Sequence, residues 1–264
     1  MSYEVVMKIV VLLKQTPDTE AKISIEGNEA KATGTYIINP YDEYAVEEAL
    51  QIKSKSPDTE VVVASFGPAE SKERILRALA MGADRGLLID NAGYEKADSL
   101  VVSKVLSEAI KAEGASLVLC GKQGIDDDNM HVGTMTAERL GWPSVNVVNK
   151  LTIDGQNAEI EREVEGGQTE VYSAELPIVI GANKALNQPR YASVPGIMKA
   201  KRKPFDNKTP ADYGLESSAL SSKTEVTGFE FPPEKPKGKL FQDEPVADMV
   251  AKVVDLLKTE AKVL

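Results

Sequence analysis

Short apolar runs alternate with segments of helical periodicity through the first half of the chain. Apolar residues follow one another with little interruption in the four runs predicted as buried strands, at residues 8–14, 61–67, 86–90 and 117–120. Between them lie segments with the spacing of amphipathic helices, at about residues 41–53, 69–81 and 98–113. This regular alternation predicts an α/β fold with a mainly parallel sheet that is flanked by helices on both faces.

The pattern changes after Pro143. Residues from about 145 to 176 predict antiparallel ribbons, which turn at Asp154-Gly155 and again at Gly166-Gly167. Residues 178–181 then return to the apolar pattern of a buried strand. We therefore expect an antiparallel ribbon insertion within the parallel sheet.

The C-terminal third of the chain has a different character. Residues from about 184 to 239 are rich in proline, lysine and serine, and such a segment without a core of its own more often wraps another surface than hangs free. Residues from about 244 to 262 have the spacing of an amphipathic helix. The sequence thus predicts an α/β domain over residues 1–183 and an extended C-terminal arm over residues 184–264.

Composition narrows the class of protein. Of the 264 residues, 42% are hydrophobic and 27% are charged, which is ordinary for a soluble globular protein, and no apolar run is long enough to predict a membrane span. Residues 1–6 lack the features of a secretory signal and are interpreted as an alternative start before Met7. The single cysteine, Cys120, excludes an internal disulfide, so we expect a cytoplasmic location.

The charge balance argues against one class of partner. A net charge of −10 opposes nucleic-acid binding, which needs a positive field. The run Lys199–Lys203 is nevertheless strongly basic. It is either a solvated surface segment or a docking surface for an acidic partner.

The strongest candidate site follows the strand at residues 117–120. That strand ends in the glycine-bearing loop Gly121–Asp128, passes three consecutive aspartates and enters a helix predicted from about Asn129 to Leu140. A strand that passes through glycine into a helix forms a crevice whose backbone N–H groups can hold a phosphate. The aspartates would cap the helix, bind ribose hydroxyls or hold Mg²⁺, and their charge disfavours a polyphosphate. The loop therefore predicts a site for a nucleotide with few phosphates.

Two other turns are predicted to border the same crevice. Asn39–Asp42 precedes the first helix, with Asn39 as its N-cap and Pro40 at its first position, and Phe66–Pro68 closes the second strand. If the first, second and fourth strands lie side by side, these turns meet the loop at one sheet edge.

Catalytic residues are not predicted. His131 is the only histidine, no serine or cysteine lies in a nucleophile motif, and Cys120 ends an apolar strand, where it is expected to pack as a small hydrophobic side chain. The combination indicates binding, without a bond-making step.

Four stretches of the chain, residues 39–49, 77–85, 121–128 and 187–201, closely resemble the beta subunit of electron transfer flavoproteins, in family order and spacing. The resemblance implies a Rossmann-like domain that pairs with an alpha subunit into a heterodimer. It also implies a redox FAD held mainly by the alpha subunit and a structural AMP in this subunit. Electrons would come from the acyl-CoA-type dehydrogenases of fatty acid oxidation and pass to a quinone oxidoreductase.

The resemblance also implies positions for the two functional surfaces. The AMP contacts would be Leu12, Asn39, Pro40, Tyr41, Asp42, Phe66, Gly121, Lys122, Gln123, Gly124, Ile125, Asp126, Asp127, Asp128, Asn129, Met130, His131 and Val132. The dehydrogenase-docking residues would be Arg190, Tyr191, Val194, Pro195, Ile197, Met198 and Lys199. Val194 stands where the family usually has leucine. Tyr41 matches an aromatic residue that approaches the flavin, whereas Thr19 stands where a second such aromatic is common.

Two alternatives remain. One branch of the family holds a second FAD in place of AMP and oxidises NADH, and the stretch Lys14–Thr19 resembles that branch. Asp127, where that branch typically has glycine, and Gly133–Ala137 favour AMP instead. The other alternative, from a different class, is a stand-alone adenine-nucleotide-binding module.

Overall fold

The computed structural model describes residues 7–235 and 237–264, so the interpretation of residues 1–6 as an alternative start lies outside the described residues. The helices are α1 (Pro40–Lys55), α2 (Ser71–Met81), α3 (Ser99–Glu113), α4 (Val132–Leu140), α5 (Val194–Ala200) and α6 (Val246–Thr259). The strands are β1 (Lys8–Leu12), β2 (Gln15–Pro17), β3 (Lys22–Glu26), β4 (Glu29–Thr33), β5 (Tyr36–Ile38), β6 (Glu60–Gly67), β7 (Arg85–Asp90), β8 (Leu117–Gly121), β9 (Ser144–Asp154), β10 (Asn157–Val164), β11 (Gln168–Glu175), β12 (Ile178–Ala182) and β13 (Phe205–Lys208).

A nine-stranded sheet organises the chain, in the order β11-β10-β9-β12-β8-β1-β6-β7-β13. In this spatial order, neighbouring strands are parallel from β9 through β12, β8, β1, β6 and β7 to β13. Strands β9, β10 and β11 pair antiparallel and form the predicted ribbons. The predicted α/β fold class is therefore confirmed. β1 lies between β8 and β6, which confirms that the first, second and fourth predicted strands are neighbours.

The central strand serves two hydrophobic cores because successive side chains of a strand point to opposite faces. Ile9 and Val11 of β1 pack in a core with side chains of α1 and α2. Val10 and Leu12 pack in a second core with side chains of α3. This burial on both faces explains why β1 appears in the sequence as a continuous apolar run.

Helix α4 begins later than the sequence pattern predicts, at Val132 and not at Asn129. Asp128 and Met130 have φ angles of 50° and 58°, in the left-handed region that an α-helix cannot include. The loop after β8 is therefore extended to His131, and it brings more backbone to the carboxyl edge of the sheet.

The segment at residues 184–239 contains more regular structure than its composition predicts. It includes α5 and the edge strand β13, which pairs in parallel with β7. Arg85, at the start of β7, holds β13 through Asp206, with 2.8 Å between the guanidinium nitrogen and the carboxylate oxygen. A strand of four residues that contains Asp206 and Asn207 has no apolar run, and for that reason the sequence pattern does not reveal it.

Residues up to Gly228 form one compact unit, and Phe229–Leu264 form a second, smaller one. In the second unit, Lys239 pairs with Glu260 just beyond α6, at 2.6 Å. The prediction of a functional boundary after residue 183 stays a prediction. Among the described residues, no helix combines the length and the apolar character needed to cross a bilayer.

Candidate functional site

A cavity of about 420 Å³ lies at the carboxyl ends of β1, β6 and β8. Its walls come from the segments that follow these three strands, so the predicted convergence of turns at one sheet edge is confirmed. The predicted AMP-contact residues that line it are Leu12, Asn39, Asp42, Phe66, Gly121, Lys122, Gln123, Gly124, Asp126, Asp127, Asn129, Met130, His131 and Val132. Whether they bind a ligand stays a prediction.

Four of the predicted contact residues do not line this cavity. Pro40 begins α1, and the ring of Tyr41 lies 5.0 Å from the ammonium of Lys122. The backbone N–H of Ile125 donates to the side-chain oxygen of Asn39, and the Asp128 carboxylate accepts a hydrogen bond from the side chain of Gln123.

One wall of the cavity was missed by the sequence analysis. It comes from the segment between β7 and α3, where Tyr94 lies 6.5 Å from Phe66 between ring centroids. The signal available in the sequence was the turn Asn91-Ala92-Gly93, which follows a predicted strand at the same sheet edge. Ser71 lines the adjoining wall, and its buried hydroxyl has no hydrogen-bond partner among the described residues.

Asn39 and Asp42 form a hydrogen-bonded junction, called here the Asn39–Asp42 junction. The Asn39 amide donates to the Gln123 carbonyl oxygen at 2.9 Å and accepts from the Ile125 N–H at 3.2 Å. Asn39 is the N-cap residue of α1 and Pro40 begins the helix, as predicted, but the Asn39 side chain makes no capping hydrogen bond. Its amide is used to hold the loop after β8.

The Asp42 carboxylate completes the junction. It accepts hydrogen bonds from the backbone N–H groups of Lys14, at 2.7 Å, and Gly121, at 2.8 Å, and from the Asn39 amide at 3.0 Å. Burial raises the pKa of Asp42 to about 7, and these three donors oppose the rise because they stabilise the carboxylate. One side chain thus ties the end of β1 to the end of β8.

The three aspartates of the loop do not cap α4. The Lys14 ammonium lies 2.7 Å from an oxygen of Asp126 and 3.0 Å from one of Asp127, and a second Asp127 oxygen accepts from the Asn129 N–H at 3.2 Å. The helix-capping interpretation is therefore wrong. Among the described residues, no group of His, Cys, Asp or Glu side chains is arranged to hold a metal ion.

The ion pairs shift the pKa values of Lys14 and Asp127. Burial would lower the pKa of Lys14, but Asp126 and Asp127 outweigh it and hold that pKa above its ordinary value. Burial would raise the pKa of Asp127, but Lys14 and the Asn129 N–H hold it below its ordinary value. Both partners are therefore charged at neutral pH.

The N-terminus of α4 also opens on the cavity, through Val132 and Gly133. Within the described part of the chain no side chain caps this helix, so its first N–H groups are available to an anion at the positive end of the helix dipole. A Cβ on Gly133 would lie 2.7 Å from the Cys120 sulfur, which explains the glycine. This wall can receive a phosphate, which agrees with the nucleotide site predicted from the sequence of the loop.

The predicted docking residues are not in the cavity. Four of them form an exposed apolar surface on and beside α5, called here the α5 patch: Tyr191, Val194, Ile197 and Met198. Val194 is 74% exposed and Tyr191 is 93% exposed. Pro195 and Lys199 are also exposed, whereas the Arg190 side chain is turned towards α1.

The base of the α5 patch is fastened to α1. Arg190 pairs with the buried carboxylate of Glu47 through two guanidinium nitrogens, at 2.7 and 2.8 Å, and Asn187 donates to Glu48 at 2.9 Å. Burial alone would raise the pKa of Glu47, but Arg190 holds it below its ordinary value. Ser193 caps α5 by accepting from the Gly196 N–H at 3.1 Å. The patch is therefore a fixed surface.

The basic run Lys199–Lys203 is divided in its roles. The Lys203 ammonium donates to the carbonyl oxygens of Leu79 and Ala83 at the C-terminal end of α2, where a positive charge is favourable. Lys199, Lys201 and Arg202 are exposed, whereas Ala200 is buried. Only the first part of the run is available to a partner.

Comparison with known proteins adds a family context. A family model for the electron transfer flavoprotein domain matches residues 30–213. The chain is 40% identical over 261 residues to the electron transfer flavoprotein subunit beta of Bradyrhizobium diazoefficiens, which covers 98% of this chain and 100% of that protein. The corresponding subunit of Bacillus subtilis is 40% identical over 260 residues, with coverages of 98% and 100%. The human subunit is 38% identical over 255 residues, with coverages of 95% and 98%.

The environment of Cys120 makes a direct prediction about reactivity. Burial, followed by the nearby Asp42 carboxylate, raises the pKa of the thiol to about 12, and the thiolate is the reactive form. We expect a thiol reagent at about pH 8 to leave the native protein unlabelled and to label it fully in denaturant. Since Cys120 is the only cysteine, absorbance of the released thiol product reports it alone. Rapid native labelling would contradict the buried position.

The Asn39–Asp42 junction predicts a stability effect. In Asp42→Asn, an amide NH₂ must face one of the two backbone N–H donors, so we expect the free energy of unfolding to fall by about 1–3 kcal/mol in urea titrations. The exposed Asp58→Asn serves as the control and should change it by less than about 0.5 kcal/mol. Equal effects of the two variants would show that the junction does not stabilise the fold.

Proposed function

Because this chain belongs to the electron transfer flavoprotein family and matches its beta subunits along almost all of its length, we propose that it is the beta half of a heterodimeric electron carrier. Its partner is an alpha subunit, which holds most of the redox FAD. The pair accepts electrons from acyl-CoA-type dehydrogenases and delivers them to a quinone oxidoreductase. This chain holds a structural AMP and catalyses no bond-making step of its own.

The observation that carries the AMP assignment is the cavity at the ends of β1, β6 and β8. Its volume of about 420 Å³ falls in the range of small-ligand sites. It combines an uncapped helix N-terminus for a phosphate with the Phe66–Tyr94 wall, which suits an aromatic base. A nucleoside monophosphate supplies both kinds of group.

The phosphate end favours AMP over a second FAD. Asp126 and Asp127, both paired with Lys14, line the cavity, and the diphosphate of FAD would bring additional negative charge against these acidic side chains. The alternative, a bifurcating carrier that oxidises NADH, rests on the likeness of the stretch Lys14–Thr19 alone. In the structure, the Lys14 ammonium of that stretch pairs with Asp126 and Asp127, and this contact is compatible with AMP as the ligand.

The α5 patch supports the docking role. An exposed apolar cluster on a fixed helix is the kind of surface that a partner covers, and Val194 stands near its centre in the sequence. Tyr41, whose ring lies against the Lys122 ammonium, matches an aromatic residue of the family that approaches the flavin. Its proposed role is to complete the flavin pocket from the beta side. The apolar side chains of α6 that remain exposed, among them Val246 and Val250, are proposed to pack on the alpha subunit.

The cofactor assignment is tested by the contents of the native complex. We expect acid extraction of the complex, followed by nucleotide chromatography, to release one FAD and one AMP per heterodimer. Two FAD and no AMP would establish the bifurcating alternative. Purification of this chain without a second, flavin-bearing chain would instead support a stand-alone nucleotide-binding module.

The docking assignment is tested by Val194→Asp. A charge in the middle of an apolar contact must be desolvated, so we expect the rate of flavin reduction by an acyl-CoA-type dehydrogenase to fall by about tenfold or more, with FAD content unchanged. Ile23→Asp, on the β3–β4 hairpin, places the same charge at another exposed apolar position and should leave the rate unaltered. Stopped-flow absorbance of the flavin measures both variants. If the flavin of the Val194→Asp variant were reduced at the wild-type rate, the α5 patch would not be part of the docking surface.

A further inference from the structure

One wall of the cavity is made of turns alone. Residues 91–98 connect β7 to α3 and form neither a helix nor a strand, and the cavity is lined by Asn91, Tyr94, Glu95 and Ala97 of this connection, called here the 91–98 wall. Much of its hydrogen bonding is local: the Tyr94 N–H donates to the Asn91 carbonyl oxygen at 2.7 Å, and the Ala97 N–H donates to that of Tyr94 at 3.0 Å. Segments with few long-range bonds open more readily than helices and strands. This wall is therefore the part of the cavity boundary best suited to opening.

The last residue of the wall is held from outside the cavity. The Asp98 N–H donates to the Ser222 hydroxyl oxygen, 124 positions later in the chain, at 3.1 Å. One oxygen of the Asp98 carboxylate accepts from the backbone N–H groups of Lys223, at 2.6 Å, and Thr224, at 3.2 Å. The other oxygen caps α3 by accepting from the Val101 N–H at 3.0 Å. One residue thus joins the wall and the helix to a distant segment.

That segment is itself fixed on α3. Leu220 is buried in the second hydrophobic core, together with side chains of α3. The Lys104 ammonium, on α3, donates to the Ala219 carbonyl oxygen at 3.0 Å. Because residues 219 and 220 are held in this way, the bonds that follow at residues 222–224 restrain the wall.

We propose that Asp98 is a positioning residue that keeps the cavity closed, and that the nucleotide enters and leaves when residues 222–224 release the 91–98 wall. The proposal rests on the proposed function, since it concerns the exchange of the bound monophosphate. Asp98 itself does not line the cavity, so it acts on the wall and not by contact with the ligand.

A second contact of the wall is weaker. Lys96 pairs at 2.7 Å with Glu29 on the β3–β4 hairpin, but the Lys96 side chain is 86% exposed, and water and salt screen such pairs. Asp98 instead accepts from backbone N–H groups, and hydrogen bonds to a charged group are stronger than those between neutral groups. Burial would raise the pKa of Asp98, but the backbone N–H groups, that of Lys223 foremost, hold it below its ordinary value. The carboxylate is therefore charged at neutral pH, and its contact controls the wall.

The test measures the exchange of AMP on the purified heterodimer. Loss of labelled AMP into an excess of unlabelled AMP gives the dissociation rate, and uptake of labelled AMP by the complex stripped of nucleotide gives the association rate. In Asp98→Asn, the side chain still caps α3 but no longer presents a charged oxygen to residues 223 and 224, so we expect both rates to rise by about tenfold. The dissociation constant should change by less than about threefold, because a closure that forms with and without ligand alters both rates alike.

Ser222→Ala weakens the same contact from the other side. It removes the acceptor of the Asp98 N–H and leaves the carboxylate in place, so both rates should rise, by less than in Asp98→Asn. It also carries the test if Asp98→Asn does not fold, which melting temperatures of the stripped variants show. Ser221→Ala is the matched control, because the Ser221 hydroxyl is exposed and donates within its own segment, to the Ser222 carbonyl oxygen at 3.5 Å. Its rates should equal those of the wild type.

The outcomes separate the two proposals. If the wild-type complex binds no AMP, the proposed nucleotide site fails, and the closure fails with it. If the wild type binds AMP but the substitutions at Asp98 and Ser222 leave both rates unchanged, only the closure is overturned. A faster dissociation with an unchanged association rate would lower the affinity, and it would overturn the closure in the same way, since it indicates damage to the site.

Discussion

The candidate site depends on one hydrogen-bonded junction between non-adjacent parts of the chain. Asn39 and Asp42, at the start of α1, bond backbone groups at the end of β1 and in the loop after β8. Because the carboxyl group of Asp42 is buried, the loss of one of its three donors would leave part of its hydrogen-bonding capacity unsatisfied. The same α1 helix holds the segment before α5 through Glu47 and Glu48. One helix therefore positions both the cavity and the α5 patch.

The charge arrangement explains how a strongly acidic chain can present an anion site. The net charge of −10 would repel a phosphate at long range, but interactions beyond the Debye length are screened by salt. Within the crevice, two of the three loop aspartates are neutralised in part by Lys14, and the uncapped α4 presents N–H groups. The electrostatic potential in the crevice therefore differs from the negative potential that the net charge of the chain produces.

Much of the fold could be predicted from the sequence, because β1, β6, β8 and β12 are buried on both faces and appear as apolar runs. Strand β13 could not be predicted from the sequence, because its position at the sheet edge depends on pairing with β7 and on the ion pair between Arg85 and Asp206. The convergence of three turns followed from strand order. The partners of individual side chains did not follow: Asn39 bonds a loop that begins more than 80 positions away, and nothing local distinguishes this role from that of an N-cap.

The central claim is that the crevice holds a nucleoside monophosphate with its phosphate at the start of α4. A crystal structure of the heterodimer grown with AMP tests it most directly. The account predicts a single phosphate within hydrogen-bond distance of the N–H groups of Val132 and Gly133 and of the Lys14 ammonium, with the base against Phe66. A nucleotide bound elsewhere, or a diphosphate in this crevice with Lys14 released from Asp126 and Asp127, would contradict it.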